Sequence, residues 1–158
     1  MLNSNGWPAP LEIGLQPDQI ISGKAFSVAF RVLALLLVEG IAWWAYLLWR
    51  GGKLGSTVTS SQLWLLAALA LMFITVFYVF RSVTSITNAH LKQSWIWNKE
   101  MAIQELAYAK LIRLRGFDWL IAPRLYARTH GGKFASFYAS TPEVLQQFEQ
   151  ISSKLSTK

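Results

Sequence analysis

The chain has 158 residues, a formal net charge of +7 and no cysteine. Apolar residues make up 53% and charged residues 15%, against roughly 25% charged in an ordinary soluble domain. The missing cysteines exclude disulfides, thiolate nucleophiles and cysteine metal sites, and the charge deficit excludes a uniformly water-facing chain.

Residues 1–24 carry Pro8, Pro10 and Pro17 with Gly6 and Gly14 among them. That punctuation breaks a long helix. A short strand is predicted at residues 11–15, and the segment reads as an N-terminal lead on the cytoplasmic side.

Residues 25–49 (AFSVAFRVLALLLVEGIAWWAYLLW) and 62–80 (QLWLLAALALMFITVFYVF) hold the apolar excess. Crossing the hydrocarbon core takes roughly 20 apolar residues, and both blocks reach that length. A soluble core helix of this length shows a polar stripe; the second block has no charge at all. Residues 25–81 therefore read as a transmembrane helical hairpin. The first block starts after a 24-residue lead without a basic cluster, so it reads as a retained span rather than a cleaved signal. The connection GGKLGSTVTSS reads as an exposed loop. Basic residues set the orientation. Arg50 and Lys53 lie in the connection, whereas Arg81 and ten further basic residues follow the second block. Both termini are thus expected on the cytoplasmic side. Trp43, Trp44 and Trp49, with Tyr46, would form an aromatic belt at the outer interface, and Trp64 its counterpart.

Glu39 stands in the middle of the first span, where an acid costs around 3 kcal/mol on insertion scales. Arg31 is eight residues away, about 12 Å along a helix axis, and off to one side. Thr75 on the second span and another subunit are the other partners the sequence offers. A proton relay needs more polar groups in line than the blocks contain. Glu39 and Arg31 are therefore candidate partner contacts within the membrane.

Residues 82–158 change character to short β-like runs separated by turn signals. Residues 90–97 (HLKQSWIW) alternate, with Leu91, Gln93, Trp95 and Trp97 on one face. Asn98-Lys99 reads as a two-residue turn, followed by a strand at 101–106 (MAIQEL) and a basic strand at 109–115. In GFDWLIAP, Phe117, Trp119 and Leu120 are apolar in a loop. They either wedge into the membrane interface or cover the sheet. Residues 124–130 alternate again, with Leu125, Ala127 and Thr129 on one side.

The sequence HGGK at residues 130–133 could suggest a phosphate cradle, but such a cradle needs a helix start after the glycines. Here they join two alternating strands, so Gly-Gly supplies a tight hairpin turn. His130 has no companion at metal-ligand spacing. Thr141-Pro142-Glu143 signals a helix start, with Thr141 as cap and Pro142 at the first helical position. Val144, Phe148, Ile151 and Leu155 make one apolar stripe. The architecture expected is α+β, an antiparallel sheet covered by a C-terminal amphipathic helix.

Residues 82–135 carry eight basic and three acidic side chains. Lys110, Arg113, Arg115, Arg124, Arg128 and Lys133 form a candidate face for anionic lipid headgroups or an acidic partner. Each basic residue near an anionic leaflet contributes about 1 kcal/mol. Trp119 joins the interface anchors. Nucleic acid is not indicated, since the sheet is pinned at the membrane and no recognition motif is present. Nothing calls for a cofactor or a catalytic metal.

Two hydrophobic helices, then Ile86-Thr87-Asn88, then MAIQELAYAKLIRLRG, PRLYARTHGGKFASFYAS and TPEVLQQFEQI together resemble the membrane-anchored bacterial pleckstrin-homology-like (PH-like) proteins. The resemblance runs from about residue 26 to 155. MAIQEL stands where that family has an Ile-Pro-Leu strand, and Ala127-Arg128-Thr129-His130 where it has an apolar one. The resemblance implies a seven-stranded, partly open barrel plugged by a C-terminal helix. It also implies no enzymatic activity, and a role as a scaffold, assembly or accessory subunit alongside other integral membrane proteins.

Overall fold

Strand β1 (Ile21–Lys24) leads within a few residues into helix α1 (Val28–Arg50), and helix α2 (Ser60–Arg81) leads back into strand β2 (Val83–Ile86). This computed structural model describes residues 13–16, 19–53 and 60–156. Strands β1 and β2 pair antiparallel with Lys24 opposite Val83, and the Ala25 N–H donates to the Ser82 carbonyl at 3.2 Å. The helical hairpin is therefore the connection between two adjacent strands. Its geometry permits this because the helices have nearly equal length, 23 and 22 residues. At 1.5 Å per residue each is about 34 Å long, so the second brings the chain back to where the first left it.

Local chemistry sets the helix ends. Ser27 caps α1, its Oγ accepting from the Phe30 N–H at 3.1 Å, which satisfies one of the free first-turn donors. Arg50 and Arg81 occupy the last turns, where a cation suits the negative helix end. Lys24 Nζ adds a hydrogen bond to the Phe80 carbonyl at 3.1 Å. The Arg31 guanidinium lies 5.8 Å from the Phe80 ring centre, joining the two helices at the sheet end.

Strands β3 (His90–Ser94) and β4 (Lys99–Ala102) complete a four-stranded sheet in the order β1-β2-β3-β4. A single 3-10 turn at Ile103–Glu105 passes the chain to β5 (Leu106–Ile112), β6 (Arg124–Thr129) and β7 (Phe134–Tyr138), which form a second, three-stranded sheet. Helix α3 (Pro142–Ser156) closes the chain. Ile86, Leu91, Leu125 and Phe137 from the sheets and Ile103 from the 3-10 turn meet Val144, Phe148 and Ile151 of α3 in one core, all with no exposure. The stripe predicted for α3 is the face it buries. The Ser152 hydroxyl accepts from the Leu111 N–H at 3.2 Å, which covers part of the open edge of β5.

The two sheets meet along β3 and β7 through side chains instead of a ladder. Thr84 Oγ1 donates to the Tyr138 carbonyl at 2.6 Å, and the Tyr138 N–H donates to Gln93 Oε1 at 3.2 Å. Lys99 Nζ reaches the Ser136 carbonyl at 3.4 Å. Thr84 and Gln93 are buried for this reason: they occupy the places of backbone partners that a buried strand edge requires.

Several local expectations need correction. The predicted strand at 11–15 is absent over Ile13–Leu15, while Leu11 and Glu12 lie outside the described residues. The N-terminal strand is Ile21–Lys24 instead. It belongs to the sheet, so the sheet is not confined to residues after 82. Alternation in 90–97 holds for buried Leu91 and Gln93 but stops at Ser94. Trp95 is half-buried and Trp97 exposed. The turn covers 95–98, and Lys99 already pairs with Gln93. MAIQEL is divided by the 3-10 turn because the chain must change sheets there. The basic strand begins at Leu106 and ends at Ile112.

The HGGK bend is a three-residue hairpin loop. The Gly132 N–H donates to the Thr129 carbonyl at 3.0 Å and the Thr129 N–H to the Lys133 carbonyl at 2.8 Å. Only Gly132 of the pair has a positive φ, +82°, as a turn followed by a left-handed residue demands. Thr141 does not cap α3 with its hydroxyl. Its carbonyl accepts from the Leu145 N–H at 3.0 Å, but Oγ1 is buried without a hydrogen-bond partner. It is packed against Gly23, where an added Cβ would overlap it. Of the expected loop between the helices, residues 54–59 lie outside the described residues.

Candidate functional site

Both helices of the hairpin are long and apolar enough to cross a membrane. They bury Val38 and Ala45 on α1 and Val76 and Val79 on α2, while most of their large apolar side chains face outward. Trp43, Trp44, Tyr46, Trp49 and Trp64 are all exposed at the end of the hairpin away from the sheets. Tyr46 bridges the row, 5.6 Å from Trp43 and 6.1 Å from Trp49 between ring centres.

Glu39 is exposed on this apolar surface. Among the described residues it has neither a hydrogen bond nor an ion pair. Arg31 does not reach it, being held by the Phe80 ring and by the Ser27 carbonyl at 3.4 Å. Thr75 does not reach it either, because its hydroxyl donates to the Leu71 carbonyl of its own helix at 2.8 Å. Glu39, Ala42, Tyr46 and Trp49 follow one another at three, four and three residues, the spacing of a single helix flank. The last three line an apolar crevice of about 370 Å³ between the helices, completed by Gln62, Leu65, Leu66 and Leu69. The sequence singled out Glu39; the crevice above it could not be read, because it depends on how α1 and α2 splay.

The outer face of the second sheet carries half of the basic set, Lys110, Arg124 and Arg128. Register pairs Tyr108 with Arg128, Lys110 with Tyr126 and Ile112 with Arg124. Arg128 is also opposite Phe134, and Arg124 opposite Tyr138. The result alternates cations with aromatic rings, and Tyr126 stacks on Phe134 at 6.4 Å. Lys110, Arg124, Arg128 and Lys133 are exposed, with no carboxylate in ion-pair range among the described residues. Tyr138 packs against Phe26 at 5.4 Å, so the Arg124 row lies nearest the helices. Arg128 is four residues further along the strand, about 13 Å. That exceeds the screening length of about 8 Å at physiological salt. Arg113 is the exception in the set. It is spent on Asp118 at 3.0 Å and Glu149 at 2.9 Å.

Arg115 and Trp119 lie in the loop between β5 and β6, which is tied to α1 by a 2.7 Å hydrogen bond from Ser27 Oγ to the Leu120 carbonyl. Phe117 and Trp119 are exposed there; they do not cover the core.

The folded chain also brings Gly132 and Lys133 beside His90, Lys99, Glu100 and Glu105 around a groove of about 610 Å³. Its charges are mixed, and Glu100 is occupied by Lys92 at 3.0 Å. No group of three or more potential metal ligands occurs among the described residues. Comparison with family models, with curated proteins and with solved structures finds no match for this chain.

Proposed function

We propose that this protein is a non-enzymatic, two-span integral membrane subunit that scaffolds or helps assemble a larger membrane protein complex. In this reading α1 and α2 span a bacterial inner membrane, both termini are cytoplasmic, and the sheets with α3 form a PH-like domain at the cytoplasmic surface. The arrangement of four and three strands with a C-terminal helix supports the PH-like reading. The observation that carries the subunit role is Glu39, exposed on an apolar helix flank without a partner among the described residues. An acid facing lipid is costly, and residues of this kind face a bundle interior or pair with another group. A third helix seated in the crevice above Glu39 supplies both cover and partner.

The test is purification in a gentle detergent followed by mass spectrometry of what accompanies the chain. A stoichiometric membrane partner is expected. Glu39→Leu leaves the chain in the membrane fraction but weakens the association. A membrane-embedded hydrogen bond contributes about 1–2 kcal/mol, so the loss should be about tenfold. A lone monomer from both versions would overturn the proposal.

A second reading, an anionic-lipid sensing module, is favoured by the cation and aromatic face. Its reach is limited to the Arg124 row by the distance of Arg128 and Lys133 from the helices. Those two suit an acidic protein surface better.

A further inference from the structure

The loop between β5 and β6, residues 113–123, is more ordered than its sequence suggests. The Phe117 N–H donates to the Leu114 carbonyl at 2.9 Å, and the Phe117 carbonyl accepts from Leu120 and Ile121 at 2.9 and 2.7 Å. Gly116 takes a positive φ of +89° to make the first bend. Arg113 clamps the loop from both sides, to Asp118 within it and to Glu149 on α3. A loop so constrained has a preferred set of outward side chains. Here they are Leu114, Phe117, Trp119 and Ile121, which are 50%, 55%, 65% and 43% exposed. Four large apolar side chains on one braced loop form a patch that water does not favour.

The position of the loop supplies the occupant. Ser27 Oγ both caps α1, through the Phe30 N–H, and donates to the Leu120 carbonyl. The loop therefore sits at the level of the first turn of α1. That helix is about 34 Å long at 1.5 Å per residue, against a hydrocarbon core of about 30 Å. No length is left over to carry Ser27 far from the headgroup boundary once α1 spans. Charge agrees with this depth. Arg113, shared between Asp118 and Glu149, leaves one negative charge there, and the exposed cations Arg115 in the loop and Arg124 just beyond it outweigh it. Tryptophan with flanking arginine is the composition of interfacial anchors.

We propose that the β5–β6 loop is a third point of membrane attachment. Phe117 and Trp119 insert at the headgroup and acyl boundary of the same bilayer that α1 and α2 cross, and Arg115 and Arg124 lie over anionic headgroups. The attachment adds an anchor on the second sheet to the two helix connections, which run through β1 and β2 of the first. This inference rests on the membrane-spanning reading of the hairpin. It does not depend on the partner subunit.

Because the chain has no cysteine, single substitutions can carry a fluorescent label on the full chain in vesicles containing phosphatidylglycerol. Phe117→Cys and Trp119→Cys are the loop probes, with Leu114→Cys as a third if either fails to fold. Leu71→Cys on the outer surface of α2 and Gly131→Cys in the distal hairpin are controls. The loop labels should shift to the blue and lose severalfold intensity with a quencher placed shallow in the bilayer. The Gly131→Cys label should stay water-like and the Leu71→Cys label should respond to a deep quencher. Loop labels that behave like Gly131→Cys, with the Leu71→Cys label still quenched, would overturn the third attachment alone. A water-like label at Leu71→Cys as well would overturn the spanning reading and the attachment together.

Discussion

Helices α1 and α2 bury only Val38, Ala45, Val76 and Val79 and expose most of their large apolar side chains, whereas the sheets and α3 leave Leu125, Phe137 and Phe148 no exposure at all. Both regions are rich in apolar residues, yet they use them differently. The sheet domain is closed on itself, and its periodic patterns face inward. The hairpin buries little of its own surface, so most of its apolar side chains face outward. Hydrophobicity alone thus separates neither region; what separates them is which side of the chain the apolar residues occupy.

The largest expected effect that tests this contrast is a pair of truncations. Phe148→Ala in the core should cost about 3–5 kcal/mol. Leu71→Ala on the outer surface of α2 should stay within about 0.5 kcal/mol, as surface substitutions do. Chemical unfolding of the chain in mild detergent, followed by near-ultraviolet circular dichroism, measures both. Equal losses would break the contrast.

A second test falls where the regions join. Gly23 of β1 faces Thr141, and an added methyl would overlap the threonine side chain. Gly23→Ala should cost about 1–3 kcal/mol, the range of overpacked sites. It should also release the Ser140 amide, which donates to the Lys24 carbonyl, to hydrogen exchange. Adding Thr141→Gly should restore part of the loss, because it removes the overlapping atoms.

The smallest effect sharpens the description of the distal hairpin. Gly132→Ala forces a methyl-bearing residue into the left-handed region and should cost about 1 kcal/mol. Gly131→Ala has room, its nearest neighbour being Thr129 Oγ1 at 3.8 Å, and should change stability by less than about 0.5 kcal/mol. Thermal unfolding of the two variants side by side is sufficient.

Local rules made the hairpin, α3 and the β6–β7 turn legible, since each depends on residues close in sequence. The two apolar blocks announce themselves by length, α3 by Pro142 and the stripe from Val144 to Leu155, and the turn by its glycines. Strand β1 was not legible. Its four residues, Ile-Ser-Gly-Lys, carry little strand signal, and their partners in β2 lie some sixty residues on, across both helices. Thr141 misled for the same reason: capping is a local expectation, and Gly23 is a distant neighbour that claims its side chain. Glu39 was visible as an anomaly in the sequence, but that no described residue pairs with it required both helices in place.

Composition and periodicity by themselves determined that this chain has an apolar hairpin, a β-rich part and an amphipathic helix, because burial pattern is written in each segment. Tertiary structure alone decided that the helical pair is inserted between two paired strands. It alone decided that Thr84 and Gln93 close the seam between sheets, and that the β5–β6 loop lies against the start of α1. Those are contacts between residues far apart in the chain, where no local preference distinguishes one partner from another.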